Sequence, residues 1–247
     1  MPVFGVAKYI DACAASILEQ ADDGVQVVFV DDASRDGEAA MLAVWQTAHR
    51  DRVRVVTHGH NRGIAATHNT LLDTARGDYV WFVDSDDEMA PDAIAGLRRV
   101  LEKHQPDLVM CDFRIMRESH CPSAASASSA KFYRKRARDA HVTSFGGPSN
   151  VLSMSRDVLI KGLFGEGNFH PWSKIVRRAA WPPKLRFPDG RVFEDLAVFA
   201  RLTLALSSFI HVPEVWIKYR QHSRSILNTP TTRKLDDWMS VSGRARF

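Results

Sequence analysis

Short runs of β-branched and aromatic residues alternate with stretches of helical period, and this confines the first half of the chain to a parallel sheet covered by helices. The runs are Val25 to Val30, Val53 to Thr57, Tyr79 to Val83 and Leu108 to Cys111. Each is short and largely apolar, as a strand buried on both faces must be. Between them Ile10, Cys13, Ala14, Ile17 and Leu18 form one helical stripe, and Ala40, Met41, Val44, Trp45 and Ala48 form another, both at i, i+3, i+4, i+7 spacing. A strand and a helix recur about every 25 to 30 residues, the length of a βαβ unit.

That order stops near Phe113. The segment ESHCPSAASASSA, residues 118–130, has too few large apolar side chains to fold alone, and it runs into Lys131, Arg134, Lys135, Arg136 and Arg138. We therefore expect a first half over 1–115, a flexible or basic linker over 116–140, a second half over 141–228 and a tail over 229–247. The second half carries the aromatic, Pro/Gly-rich stretches FGGPSN, FGEGNFHPW and WPPKLRFPDGRVFED, a helix at Leu196 to Leu206 and a strand at Val215 to Tyr219.

Composition excludes several classes. With 45% hydrophobic and 25% charged residues in 247, the chain is neither disordered, collagenous nor a coiled coil. Three cysteines, Cys13, Cys111 and Cys121, without CxxC spacing support neither a disulfide framework nor a cysteine zinc site. No apolar run reaches the roughly 18 to 20 residues that span a bilayer, and the start lacks a signal pattern, so a cytoplasmic protein is expected. The net charge of +4 is owed largely to the basic run. A solvated loop is the default reading of that run; peripheral contact with an anionic membrane at the inner face is the alternative its charge allows. Nucleic acid is not an expected partner.

In open α/β sheets ligands bind beyond the carboxyl ends of the strands. Polar residues gather at those ends: Asp31, Asp32 and Ser34; Asn61 to Gly63; and Asp84, Asp86, Asp87 and Glu88. Carboxylates about 4 Å apart repel by about 1 kcal/mol per pair even in water. A divalent cation relieves this, and Mg2+ or Mn2+ held by one or two carboxylates leaves positions for substrate phosphate oxygens. Asp84 and Asp86, nearest the strand, fit that role best. Glu88 and Asp92 flank Pro91 and read instead as charges complementing a helix amino terminus.

The chain resembles the family 2 glycosyltransferases of the GT-A fold, through motifs in the family's order from Pro2 to Ile226. PVFGVAKYIDACAASILEQ resembles the opening P-V-Y-N and its helix, and VVFVDDASRDG resembles V-D-D-G-S-x-D-G. NRGIAATHN, ARGDYVWFVDSDD and MAPDAI follow as in the family. HPWSKIVRR, LRFPDGRVFEDLAVF and YRQHSRSI resemble W-x-K-L-x-R, F-x-E-D-x-x-F and Y-R-x-H-x-x-S. The resemblance implies an α/β fold of GT-A type: a mostly parallel sheet with helices on both faces and a C-terminal acceptor-binding portion. The apolar strand that the family places before P-V-Y-N is expected to be missing. The implied activity is inverting, metal-dependent transfer of a sugar from a nucleoside diphosphate donor, expected to be UDP-linked, to a hydroxyl of a glycan or lipid-linked acceptor.

It also implies roles for residues. Phe4 stacks on the base, Asp32 accepts the N3 hydrogen of uracil, Asp84 holds ribose, and Asn61, His68 and Ser85 line the donor site. His68 stands where the family has arginine. Asp86 ligates Mn2+ or Mg2+, and His222 is a further ligand or a diphosphate contact. Asp195 is the general base, with Glu194 and Trp172 toward the acceptor. Competing readings stand beside these: helix-terminal charges for Glu194 and Asp195, core for Trp172, and a turn held by its own side chain for Asp31. A sugar nucleotidyltransferase, a receiver-like binding module and a truncated inactive fragment remain the alternatives for the whole.

Overall fold

The computed structural model describes residues 1–117, 140–190 and 194–222. The basic run at 131–138 and the tail at 229–247 lie outside the described residues. In chain order the elements are β1 (Pro2–Val3), α1 (Ile10–Leu18), β2 (Val27–Asp31), α2 (Glu38–Ala48), β3 (Val53–Thr57), α3 (Ile64–Thr74), β4 (Tyr79–Trp81) and β5 (Glu88–Met89). There follow α4 (Ala93–His104), β6 (Leu108–Arg117), β7 (His141–Val142), α5 (Arg156–Glu166), β8 (Lys174–Arg177), α6 (Glu194–Ala205) and β9 (Phe209–Gln221). Among the described residues no helix is long and apolar enough to cross a membrane.

The strands form two sheets. In the first, β1, β2 and β3 are parallel in that order, with Pro2 opposite Val30 and Val27 opposite Val53. The second sheet has the order β4-β8-β6-β9-β5, with β7 on β6. Here only β6 and β9 run parallel; the other pairs are antiparallel. The expectation of a mostly parallel sheet therefore holds for the first sheet alone. The physical reason is topological: β8 and β9, from the second half, insert between strands of the first half, so the two halves share one ladder.

Side-chain alternation explains why β6 outruns the predicted end at Cys111. Phe113 and Ile115 are fully buried while Arg114 between them is exposed, so the period-2 pattern continues to Arg117. The predicted stripe of α1 is buried at all five positions. That of α2 is not: Leu42 and Glu38 are its buried residues, and Val44 is 68% exposed. This helix packs over β2 and β3, with Met41 and Trp45 of the stripe half-buried against the core beside Leu42.

Helix α4 lies against β9 through Gly96, where an added Cβ would sit 2.9 Å from Cζ2 of the buried Trp216. Gly96→Ala gains up to about 1 kcal/mol in helix propensity. The overpacking it forces costs about 1–3 kcal/mol. The expected outcome is a net loss of about 1 kcal/mol in urea unfolding; a stabilised variant would show that the Trp216 ring yields freely.

Candidate active site

The carboxyl end of β2 is built around two buried carboxylates. Asp31 Oδ1 accepts from the Ser34 amide at 2.9 Å, closing its own turn as the bland reading held. Asp32 turns inward: it accepts from His58 Nδ1 at 2.7 Å and from the Arg62 and Gly63 amides at 2.8 Å each, and is 3% exposed. It clamps the loop that carries the exposed Asn61. The expected uracil contact would share a carboxylate whose oxygens already accept three hydrogen bonds from within the protein. Phe4, by contrast, is 56% exposed beside Gly5, whose φ of +68° sets the turn. Buried Glu38 holds that loop by accepting the Val6 amide at 2.8 Å.

After β4 the chain turns through Asp84 to Asp87. One oxygen from each of Asp84, Asp86 and Asp87 lies within 4.8 Å of the others. Ser85 is buried and donates to the Pro2 carbonyl at 2.6 Å, so its hydroxyl ties the turn to β1 and does not face a donor site as expected. The other side of the turn is fixed by β9. The Arg220 amide donates to Asp87 Oδ1 at 2.7 Å, its Nε donates to the Asp86 carbonyl at 2.9 Å, and its guanidinium also bonds Glu88. Glu88 faces Lys218 as well, at 3.8 Å. It is a β5 residue paired with β9, which corrects its reading as a helix-terminal charge. Asp92 does stand at the amino end of α4, without a side-chain capping bond.

His222 ends the same strand. Its Nε2 lies 3.0 Å from Asp86 Oδ2, and its ring stacks on Tyr9 at 4.9 Å, while the Arg220 guanidinium sits 5.3 Å from that Tyr9 ring. Burial, then the Asp86 charge, push the Asp84 carboxyl up to about 7. Asp87 rises well above the carboxylate range by burial, followed by Asp86 and Asp84. Carboxylates this crowded form an oxygen donor set suited to a divalent cation.

Asp195 opens α6. Its Oδ1 accepts the Leu196 amide at 2.7 Å, and Oδ2 is 3.8 Å from His170 Nδ1. Buried Lys174 shapes the loop beneath, donating to the Asn168 and His170 carbonyls at 2.6 and 3.0 Å and to Ser173 Oγ at 2.9 Å. Burial lowers Lys174 to about 7, opposed by Asp195, and lowers His170 to about 3. Asp195 itself is raised by burial to about 6, and its charge reaches Asp84, so the two acidic groups share one electrostatic neighbourhood.

Two expected contacts are corrected. Trp172 is 2% exposed, with His170 (4.8 Å, 5°) and Tyr219 (5.2 Å, 19°) stacked against it and Phe113 perpendicular to it at 4.6 Å; buried to this extent it is a core residue and presents no ring to a sugar. His68 is 2% exposed, packed on Phe82 and Phe187, and neither ring nitrogen has a hydrogen-bond partner among the described residues. Burial lowers it to about 3, so it is neutral and enclosed and cannot serve a phosphate. Sequence reasoning in turn missed Tyr9, His58, His170, Lys174 and Arg220. His170, Lys174 and Arg220 did leave a signal, since they stand in the HPWSKIVRR and YRQHSRSI stretches that resemble family motifs.

Glu194, 9% exposed, is pushed by burial and then by Asp195 up to about 8. The folded chain thus keeps protons that unfolded carboxylates, with pKa values of about 4, release. The contribution of this group to stability is then greatest in acid and falls as pH rises from about 4 to 8. Glu194→Gln is expected to flatten that fall and to stabilise the protein at pH 8 by about 1 kcal/mol or more, read by urea unfolding at pH 5 and 8. An unchanged pH slope would remove Glu194 as its source.

Comparison with known proteins bears on this arrangement. The model of the family "Glycosyl transferase family 2" matches residues 1–160. The glycosyltransferase GlyG of Streptococcus pneumoniae is 25% identical over 235 residues, covering 93% of this chain and 72% of GlyG. The Mycobacterium tuberculosis protein MT1568 is 35% identical over 249 residues, covering 100% of this chain and 72% of that protein. The structure of Staphylococcus aureus TarS 1-349 in complex with UDP-GlcNAc superposes with a TM-score of 0.73 at 16% identity, over 98% of this chain and 64% of that one. A mannosyltransferase of Pyrobaculum calidifontis, in complex with GDP-Man and Mn2+, gives a TM-score of 0.62 at 19% identity, over 99% and 62%. The chain spans 32% of another relative, the glycosyltransferase GlyA of Streptococcus pneumoniae. At these identities the structural likenesses show the fold, while the family match spans well over half the residues: the chain belongs to glycosyltransferase family 2.

Proposed function

We propose that this chain transfers a sugar from a UDP-linked donor to a hydroxyl of a glycan or lipid-linked acceptor, with inversion at the anomeric carbon. One observation carries the reading: two acidic groups of different kinds meet at one end of the fold. Asp84, Asp86 and Asp87 crowd together with His222 alongside, and Asp195 lies close enough to shift Asp84. The first group suits a cation and diphosphate; the second suits a base. Family membership and structural relatives solved with UDP-GlcNAc and with GDP-Man and Mn2+ support it.

The residues divide the work. Phe4, exposed on its turn, offers a ring to the base. Asp84 faces ribose. Asp86 and His222 would hold Mn2+ or Mg2+, which supplies positive charge to the departing diphosphate. Asp195, at about 6, is ionised at neutral pH yet basic enough to take the acceptor's proton as the oxygen attacks. His170, kept neutral by burial and Lys174, leaves that carboxylate without a permanent cation at 3.8 Å.

The test is transfer or hydrolysis of a panel of UDP-sugars, with UDP affinity by calorimetry. Phe4→Ala is expected to weaken UDP by about tenfold, the worth of one stacked ring. Asp195→Asn is expected to lower kcat by about 10²–10⁴ with donor KM nearly unchanged. UDP binding that ignores Phe4, or turnover that survives Asp195→Asn, would contradict these assignments.

A further inference from the structure

His58 is a buried ring that the division of work above leaves without a part, yet both of its ring nitrogens are engaged. It directly follows β3 and is 7% exposed. Its amide donates to the Asp31 carbonyl at 2.9 Å, which carries the pairing of β2 and β3 one residue further. Its Nδ1 lies 2.7 Å from Asp32 Oδ1, and its Nε2 lies 2.9 Å from Thr70 Oγ1 of α3. One imidazole thus ties together the ends of two strands and a helix.

The partners fix where the ring carries its hydrogen. The Arg62 amide donates to Asp32 Oδ1 and the Gly63 amide to Oδ2, so the ring meets this carboxylate as a further donor, through Nδ1. A bare Nδ1 would set its lone pair against an oxygen at 2.7 Å. The Thr70 hydroxyl also lies 3.0 Å from the Ala66 carbonyl. It either donates to Nε2, or accepts from Nε2 while donating to Ala66. Both arrangements leave the hydrogen on Nδ1.

A carboxylate offers about four acceptor positions, two on each oxygen. His58 and Arg62 fill those of Oδ1, and Gly63 takes one of Oδ2, which leaves the other position of Oδ2 open. The Asp32 side chain is 4% exposed, and the Asp32 amide donates to the Val3 carbonyl at 2.9 Å, beside the turn that presents Phe4. A base resting on Phe4 therefore lies next to a carboxylate whose remaining acceptor position has a set direction.

We infer that His58 is a positioning residue for the donor base: its Nδ1 hydrogen, kept on that nitrogen by Asp32 and Thr70, orients the Asp32 carboxylate so that the open position of Oδ2 meets a ring N–H. The inference rests on the UDP-linked donor proposed above and adds how the base is chosen. Uracil presents a hydrogen at N3, whereas cytosine presents a lone pair there and is repelled. Without the Nδ1 donor, Oδ1 regains a free acceptor position and the carboxylate is held by the two amides alone, so the two bases are told apart less sharply.

The test is calorimetry of UDP and of CDP on three folded chains: the unaltered one, His58→Asn, whose amide nitrogen donates in place of Nδ1, and His58→Phe, which keeps a ring and removes the donor. The unaltered chain and His58→Asn are expected to prefer UDP by about tenfold or more. In His58→Phe, UDP is expected to weaken by about tenfold while CDP changes little, so that the preference is lost. Equal weakening of both nucleotides in His58→Phe, as a merely structural ring would give, or no weakening of either, would overturn the inference. If His58→Phe does not fold, nitrogen NMR of the unaltered chain decides: a hydrogen on Nδ1 is expected, and one on Nε2 alone would overturn it. Failure of the unaltered chain to bind UDP would contradict the proposed donor itself, whereas UDP binding with equal losses contradicts only the role of His58.

Discussion

Mutual repulsion among Asp84, Asp86 and Asp87 is the constraint around which the site is arranged. Three carboxylates within 4.8 Å would drive the turn apart, each pair by several kcal/mol at the effective dielectric near a protein surface and about 4 Å separation. The fold restrains them from outside. Arg220 binds the Asp86 carbonyl, Asp87 and Glu88 at once, and Ser85 pins the middle of the turn to β1. The restraint leaves the carboxyls buried and close together, and burial followed by the neighbouring charges raises both Asp84 and Asp87. A turn held together against its own charge is prepared for a cation.

The interleaved second sheet makes this arrangement reachable. β9 runs beside β6 along its length and crosses to β5, so its last residues, Arg220 to His222, arrive at a turn more than 130 positions earlier in the chain. β8 enters between β4 and β6 and brings Lys174 and the loop bearing His170 beneath α6. Neither placement follows from local sequence. Both depend on long-range ladders whose closure the buried Phe113, Trp172 and Trp216 reinforce.

Much of the site could nevertheless be read in the residues. Strands and their polar ends were legible because period-2 runs followed by aspartates carry their own geometry, and His222, singled out by the family resemblance, lies against Asp86. Failures occurred where burial decides. The internal partners of Asp32 went unread, since nothing local announces that the amides of Arg62 and Gly63 return to it. His68 and Trp172 looked like ligand contacts, yet both lie in aromatic clusters built from distant segments. The α2 stripe was apolar in sequence but only partly turned to the core: Met41 and Trp45 pack against it while Val44 is exposed. Tyr9, which stacks on His222, left no pattern at all.

The most direct test of the account is a titration of Mn2+ followed by electron paramagnetic resonance, on the intact chain and on Asp86→Ala, with circular dichroism confirming that both are folded. The account predicts one saturable site in the chain and its loss in the variant. Saturable binding that survives Asp86→Ala unchanged, or no binding by the folded chain, would contradict a cation site at this turn.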